Sequence, residues 1–226
     1  MSEPDEATEA EPDGPDGLED DERLRALAGH AVRHLGHALV GHHAPPERLE
    51  RVAAVVESLA TELDHGSVRS RPGDDMQNRV HPEPPPSGGI MESFPDRPVS
   101  GAASPWGVDL VVTREEDEAV GRCTLLAAHE GAPGRSHGGV VAAIFDDLFG
   151  FMLTLQRSVA FTGELALRYE KPTPLHVELT FRARLLRRER RKLYLTADSW
   201  HGPTRLATAT ATFIEVGTTV APAADE

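Results

Sequence analysis

Apolar residues recur with a helical period in the first third of the chain and with a period of two in the last half, so the sequence divides before any single residue is considered. Within residues 23–41, Leu24, Leu27, Ala28, Ala31, Leu35, Ala38 and Leu39 share one helical face; within 47–65, Leu49, Val52, Val56, Leu59 and Leu63 do the same. Two amphipathic helices are predicted. Pro45 and Pro46 suit a turn into the first helical positions and Gly66 a C-terminal cap. Residues 23–66 therefore read as a helical hairpin whose apolar faces need a partner surface.

From about Ser67 to Ser104 the composition turns to Pro, Gly, Ser and charge, as in a linker or a strap laid over the next domain. Residues 105–216 then alternate. Trp106–Thr113 and Ala119–Leu126 read as two strands joined at an acidic turn, followed by an apolar helix from His137 to about Leu153. Four strands come next: one holding Leu165, Leu167 and Tyr169, one from Val177 to Leu185, and the pair Leu193–Trp200 and Leu206–Val216. Two strands, one long apolar helix and four strands with short turns specify an α+β domain, an antiparallel sheet wrapped around a helix.

Charge adds little to this picture. The net charge is −14, but eleven acids and no Lys or Arg lie in residues 1–22, a segment too poor in large apolar residues to offset chain entropy. Residues 1–22 and 217–226 are expected to be disordered tails, and nucleic acid is not an expected partner. A single cysteine, Cys123, excludes an intramolecular disulfide and reads as a small packing residue. No leader-like segment is seen and no apolar run is read as long enough to span a bilayer, so the expected location is cytoplasmic.

The chemistry concentrates in residues 134–150. Gly138 and Gly139 open the apolar helix without a β-carbon, and the first N–H groups of a helix have no internal partner. With the helix dipole, roughly +0.5 e at this end, they suit a developing oxyanion. Asp146 follows seven residues after Gly139 among apolar neighbours, where a carboxylate needs a reason. Seven residues at about 1.5 Å each separate the two by roughly 10 Å, so both act on one carbonyl only if they come from different subunits. His137 is placed to hold the glycine turn, or to act as a base. Asp147, about 100° around the helix, reads as structural.

The run HGGVVAAIFDD, with FTGELALRYEKPTPL downstream, resembles the signature of hotdog-fold thioesterases of the phenylacetyl-CoA (PaaI-like) type. The resemblance covers about residues 95–216. It is carried by His137-Gly138-Gly139, by Asp146 nine positions after His137 and by Thr162 sixteen positions after Asp146. It implies hotdog connectivity and hydrolysis of an acyl-CoA to free acid and coenzyme A. It also implies Asp146 as nucleophile or general base, Thr162 hydrogen-bonding near it, and a homodimer or dimer of dimers with helices adjacent and sheets joined edge to edge. No cofactor or metal is implied, coenzyme A being part of the substrate. A non-catalytic acyl-CoA binding module and an enoyl-CoA hydratase of related fold are the alternatives; hydratases usually pair an Asp with a His soon after it, and here the next is His176.

Other candidates are weighed beside these. The crowded turn holding Arg187, Arg188, Arg190, Arg191 and Lys192 reads either as solvated or as a clamp for coenzyme A phosphates, with Arg190, Arg191 and Lys192 as the candidates. Gly134-Arg135-Ser136-His137-Gly138 also fits the nucleophile elbow of serine hydrolases, with Asp198 and His201 downstream, but no βαβ units flank it. His30, His34 and His37 share a helical face that is expected to be solvated.

Overall fold

The computed structural model describes residues 15–69 and 83–216. Helix α1 spans Pro15–Gly41 and α2 spans Pro46–Asp64. Helix α1 starts inside the segment expected to be a disordered tail, and two features explain it. Pro15 occupies the first helical turn, where its missing N–H costs nothing, and acids crowd the positive end of the dipole. Asp20 and Asp21 then accept from Arg23 and Arg25 at 3.1 and 2.6 Å, one turn on. Residues 1–14 and 217–226, the rest of the expected tails, lie outside the described residues.

The expected pair of N-terminal helices is present, but its apolar faces stay exposed among the described residues. Helices α1 and α2 share no packing layer, and no α2 side chain is buried. Leu27 is 58% exposed and Leu59 54%. Helix α1 instead docks through its polar face, at Gly29, Arg33 and His37, spaced four apart. A β-carbon at Gly29 would stand 2.5 Å from the Ala103 carbonyl oxygen, so glycine is what allows that approach. Arg33 is buried and donates to the carbonyl oxygens of Ala102 (2.9 Å) and Ser104 (2.5 Å) and to Asp109 (2.8 Å). A cation that satisfies two backbone carbonyls and a carboxylate can replace apolar contact as the anchor.

The domain is a six-stranded antiparallel sheet around one helix. Its strands are β1 (Val111–Glu115), β2 (Glu118–Thr124), β3 (Ala160–Tyr169), β4 (Glu178–Glu189), β5 (Lys192–His201) and β6 (Thr204–Glu215), in spatial order β1-β2-β4-β5-β6-β3. Helix α3 (Gly138–Leu155) lies between β2 and β3 in sequence and packs across the sheet, the hotdog arrangement. The first strand begins at Val111, not Trp106, since Pro105 and Gly107 interrupt the alternation.

The core sits between α3 and the concave face of the sheet. Phe145 meets Phe181 edge-on at 5.3 Å, and Phe149 meets Phe213 at 6.3 Å. Ala197, Ala207, Ala209 and Ala211 line that face and keep the sheet close to the helix. With 18 residues and a mean hydropathy of 1.6, α3 is long and apolar enough to cross a bilayer, contrary to the reading from sequence. The sheet accounts for that polarity, since Ile144, Phe145, Leu148 and Phe149 are fully buried against it.

Residues 83–109 run as a strap. Gly88, Gly89 and Met91 exchange backbone bonds with Val112 and Arg114 and so cover the β1 edge. Farther on, Arg97 reaches α3, pairs with the buried Asp147 and donates to the Asp147 carbonyl oxygen at 3.1 Å. A β-carbon at Gly150 would collide with the Arg97 guanidinium, so glycine one turn along is the crossing point.

Candidate active site

Asp146 is half-buried on the α3 face that turns toward β3. The Thr162 hydroxyl donates to Asp146 Oδ1 at 2.9 Å, leaving Oδ2 open. The sheet aims this hydroxyl by a defect: the β3–β6 register slips between Thr162 and Glu164, leaving Gly163 as the extra residue. A β-carbon there would press on Ile214 at 3.0 Å and on the Thr212 carbonyl oxygen at 3.3 Å. No cation pairs with Asp146 among the described residues. A cavity of about 330 Å³ lies beside it, bounded by Arg97, Ala143, Thr162 and Phe213 among others.

The adjacent Asp147 has the opposite environment. It is 7% exposed and paired with Arg97, and its Oδ2 has no hydrogen-bond partner. One carboxylate is held by a neutral donor at an open cavity, while its neighbour is buried against a cation.

At the α3 N-terminus His137 is the cap: its Nδ1 accepts from the Gly139 N–H at 3.0 Å. The Gly139 N–H is already committed to the imidazole, whereas the Gly138 N–H has no acceptor among the described residues. Tyr169, which sequence reasoning read as a plain strand residue, donates from its hydroxyl to the Gly138 carbonyl oxygen at 2.7 Å. Its ring lies where a Gly138 side chain would be, 3.3 Å from the β-carbon position.

Two histidines not assigned to the site from sequence stand behind this turn. The Ala128 N–H donates to His37 Nδ1 (3.1 Å) and the Leu126 N–H to His129 Nδ1 (3.0 Å), with the rings edge-on at 4.7 Å. His37 is thus docked, not solvated as expected. Burial, then the nearby His37, pushes the His129 pKa down to about 4, against a bond to the Gly107 backbone and the charge of Asp109. Burial also lowers the His37 pKa.

The remaining candidates separate cleanly. Ser136 is buried and its hydroxyl donates to the His137 carbonyl oxygen at 3.3 Å. Asp198 is bound by Trp200 and Arg184, and His201 lies against the Glu178 carbonyl oxygen, so no triad forms around Ser136. Cys123 is buried, its thiol pushed up to about 12 by burial and by Asp109. Among the described residues no group of three His, Cys, Asp or Glu side chains is placed to hold a metal. In the β4–β5 turn Arg190 takes a positive φ of 53°, Arg187 pairs with Glu189 and Arg188 with Glu215. Arg190, Arg191 and Lys192 border an open cavity with Glu189 and Tyr194, and Arg191 also donates to the Glu215 carbonyl oxygen at 2.9 Å.

Residues 134–208, the stretch that holds both ends of this site and the basic turn, match the thioesterase superfamily model. A solved thioesterase superfamily protein superposes with a TM-score of 0.69 at 26% identity, covering 84% of this chain and 94% of that one. Residues 134–208 thus match the thioesterase superfamily, and they lie in a hotdog fold. Similarity extends to acyl-coenzyme A thioesterase THEM4, at 36% identity for the Mus musculus protein and 35% for that of Rattus norvegicus, each over 89 residues. That stretch is 38% of this chain and 38% of each relative, so the likeness covers a part of the relatives and not their whole length.

Proposed function

We propose that this domain hydrolyses acyl-coenzyme A thioesters in a site shared by two copies of the chain. The observation that carries the reading is the Thr162–Asp146 bond at 2.9 Å, which fixes one carboxylate oxygen and leaves the other for a water. With Asp146 as general base, Oδ2 takes a proton from that water as its oxygen bonds to the thioester carbon. The carbonyl oxygen gathers the charge, and the Gly138 N–H, joined by Gly139 as the His137 ring gives way, receives it at the positive end of α3. Collapse of the adduct breaks the C–S bond. The coenzyme A thiolate recovers the proton held by Asp146, and the acid leaves. Direct attack by the Asp146 carboxylate, through an anhydride that water then opens, uses the same groups.

Support for the shared site comes from separation and from the sheet edge. Gly139 and Asp146 are roughly 10 Å apart along one helix, too far for one carbonyl. Strand β3 ends the sheet with nothing beyond it among the described residues, and Phe161 on it is 53% exposed. A bare ten-residue edge is a template for a second sheet. The register Lys192–Ile214–Phe161 puts the basic turn two strands, about 10 Å, from the Thr162 end of β3. Arg190, Arg191 and Lys192 there suit the phosphates of coenzyme A.

Free-thiol release from a panel of acyl-CoAs, with enoyl-CoA hydration followed alongside, tests this. Thiol release is expected, with Asp146→Asn lowering kcat by about 10²–10⁴-fold while acyl-CoA still binds. Hydration without thiol release would favour the hydratase. That reading is weakened by the cavity beside Asp146, which has no histidine among its described lining residues. Binding without either reaction would mark a binding module.

A further inference from the structure

Helix α2 stands in solvent. None of its side chains is buried, no packing layer joins it to another element among the described residues, and its N-cap, Pro45, offers no side-chain bond. A lone helix of 19 residues is marginal in water, and packing of its apolar face normally supplies the missing stability. Helix α1 does not supply it, being docked on the strap through Gly29, Arg33 and His37 with its own leucines exposed.

The apolar face of α2 has a spacing of its own. Leu49, Val52, Val56, Leu59 and Leu63 fall three, four, three and four residues apart, the a and d positions of a heptad, with Glu50, Arg51, Glu57 and Thr61 on the opposite side. The flanking e positions are Ala53 and Ala60, small enough for a second helix to approach closely, and the flanking g positions are Arg48, Val55 and Glu62. This is the pattern of a coiled-coil seam.

The charges say which helix fits it. Both cations, Arg48 and Arg51, lie in the first half of α2, and the second half carries Glu57, Glu62 and Asp64 with no Lys or Arg. Arg48 thus sits at the positive end of the helix dipole and Glu62 at the negative end, the unfavourable placement for a helix on its own. Arg48 pairs with no carboxylate among the described residues, and Glu62 accepts only from the Ser58 hydroxyl, at 3.4 Å. Within one chain the two stand roughly 21 Å apart along the axis and cannot meet. A second α2 turned end for end brings them together.

We propose that the α2 face is a docking surface for α2 of a second copy of this chain, the two helices running antiparallel about a two-fold axis beside Val55. In that register Leu49 layers on Leu59 of the second copy and Val52 on Val56, each twice by symmetry, and Arg48 faces Glu62 at both ends. The contact uses no residue of the β3 edge, so its test is independent of the shared active site.

The full chain carrying Val55→Cys is treated with a short bis-maleimide, and covalent dimer is read on a denaturing gel. Cys123 is buried with its thiol pushed up to about 12, and the unsubstituted chain is the control for it. Position 55 should crosslink to itself across the two-fold, whereas Arg48→Cys, roughly 21 Å from its own counterpart in an antiparallel pair, should not. In the Val55→Cys chain, Arg48→Glu or Glu62→Arg alone should lower the dimer yield about fivefold by setting like charges together, and the two combined should restore it. Val56→Asp, which puts a carboxylate into two central layers, should abolish the dimer while leaving thermal unfolding of the sheet domain unchanged. Crosslinking of Arg48→Cys to itself would make the pair parallel and overturn the proposal. So would a Val55→Cys chain that stays single, which gives the face to another occupant, or charge reversals whose combination restores nothing.

Discussion

The two edges of the sheet are treated in opposite ways. At β1 the strap adds backbone bonds from Gly88, Gly89 and Met91, then crosses to α3 and ties itself down with Arg97. At β3 nothing among the described residues covers the edge, yet this strand carries the bulge at Gly163, the Thr162 hydroxyl on Asp146 and the Tyr169 hydroxyl on Gly138. An edge that stays open normally threatens aggregation and is blunted. Here the closed edge is tied down, and the open edge carries the residues of the proposed site. That division suits the proposal that a second copy completes the site.

The largest effect expected on the closed side comes from Arg97. Arg97→Ala leaves the buried Asp147 carboxylate without its cation and should cost about 3 kcal/mol in chemical unfolding. Replacing Asp147 as well, by Asn, should return much of that loss. If the single variant unfolds as wild type does, the strap contributes nothing through this pair.

A smaller effect is expected from His129, which bonds to the strap at Gly107. Its pKa is depressed in the folded chain, from 6.5 to about 4, so the unfolded chain binds the extra proton across that window. Stability from this group is complete above about pH 6.5 and is lost as pH falls toward about 4. Between pH 7 and 5 the loss should be about 2 kcal/mol. His129→Asn keeps an acceptor for the Leu126 N–H and should remove most of this acid-side slope; an unchanged slope would assign it to other groups, His37 among them.

Much of the domain was legible because its signals are periodic. Alternation of Leu179, Phe181 and Ala183 with polar neighbours, and the apolar run after Gly139, place β4 and α3 within a few residues of where they lie. The position of Asp146 and its spacing to Thr162 were legible too, but the bulge that aims Thr162 was not, since a glycine in a strand announces a defect without its register. The N-terminal helices misled for a physical reason. Their leucine stripes called for a partner surface, whereas α1 docks through Gly29, Arg33 and His37, whose polar contacts leave no mark in a hydrophobic pattern. The commitment of the Gly139 N–H to His137 depends on a side-chain torsion, which spacing alone does not specify.

The shared site is tested most directly by complementation. Gly139→Val forces a side chain against the His137 ring, 3.0 Å from the β-carbon position, and disrupts the receiving turn; Asp146→Asn removes the carboxylate. Each homodimer should be nearly inactive. In a verified heterodimer one interface site would combine the intact turn of one chain with the intact carboxylate of the other, and activity should recover to about half that of wild type. Heterodimers with no recovered thioester hydrolysis would contradict the account, since Asp146 and the glycine turn would then have to meet within one chain.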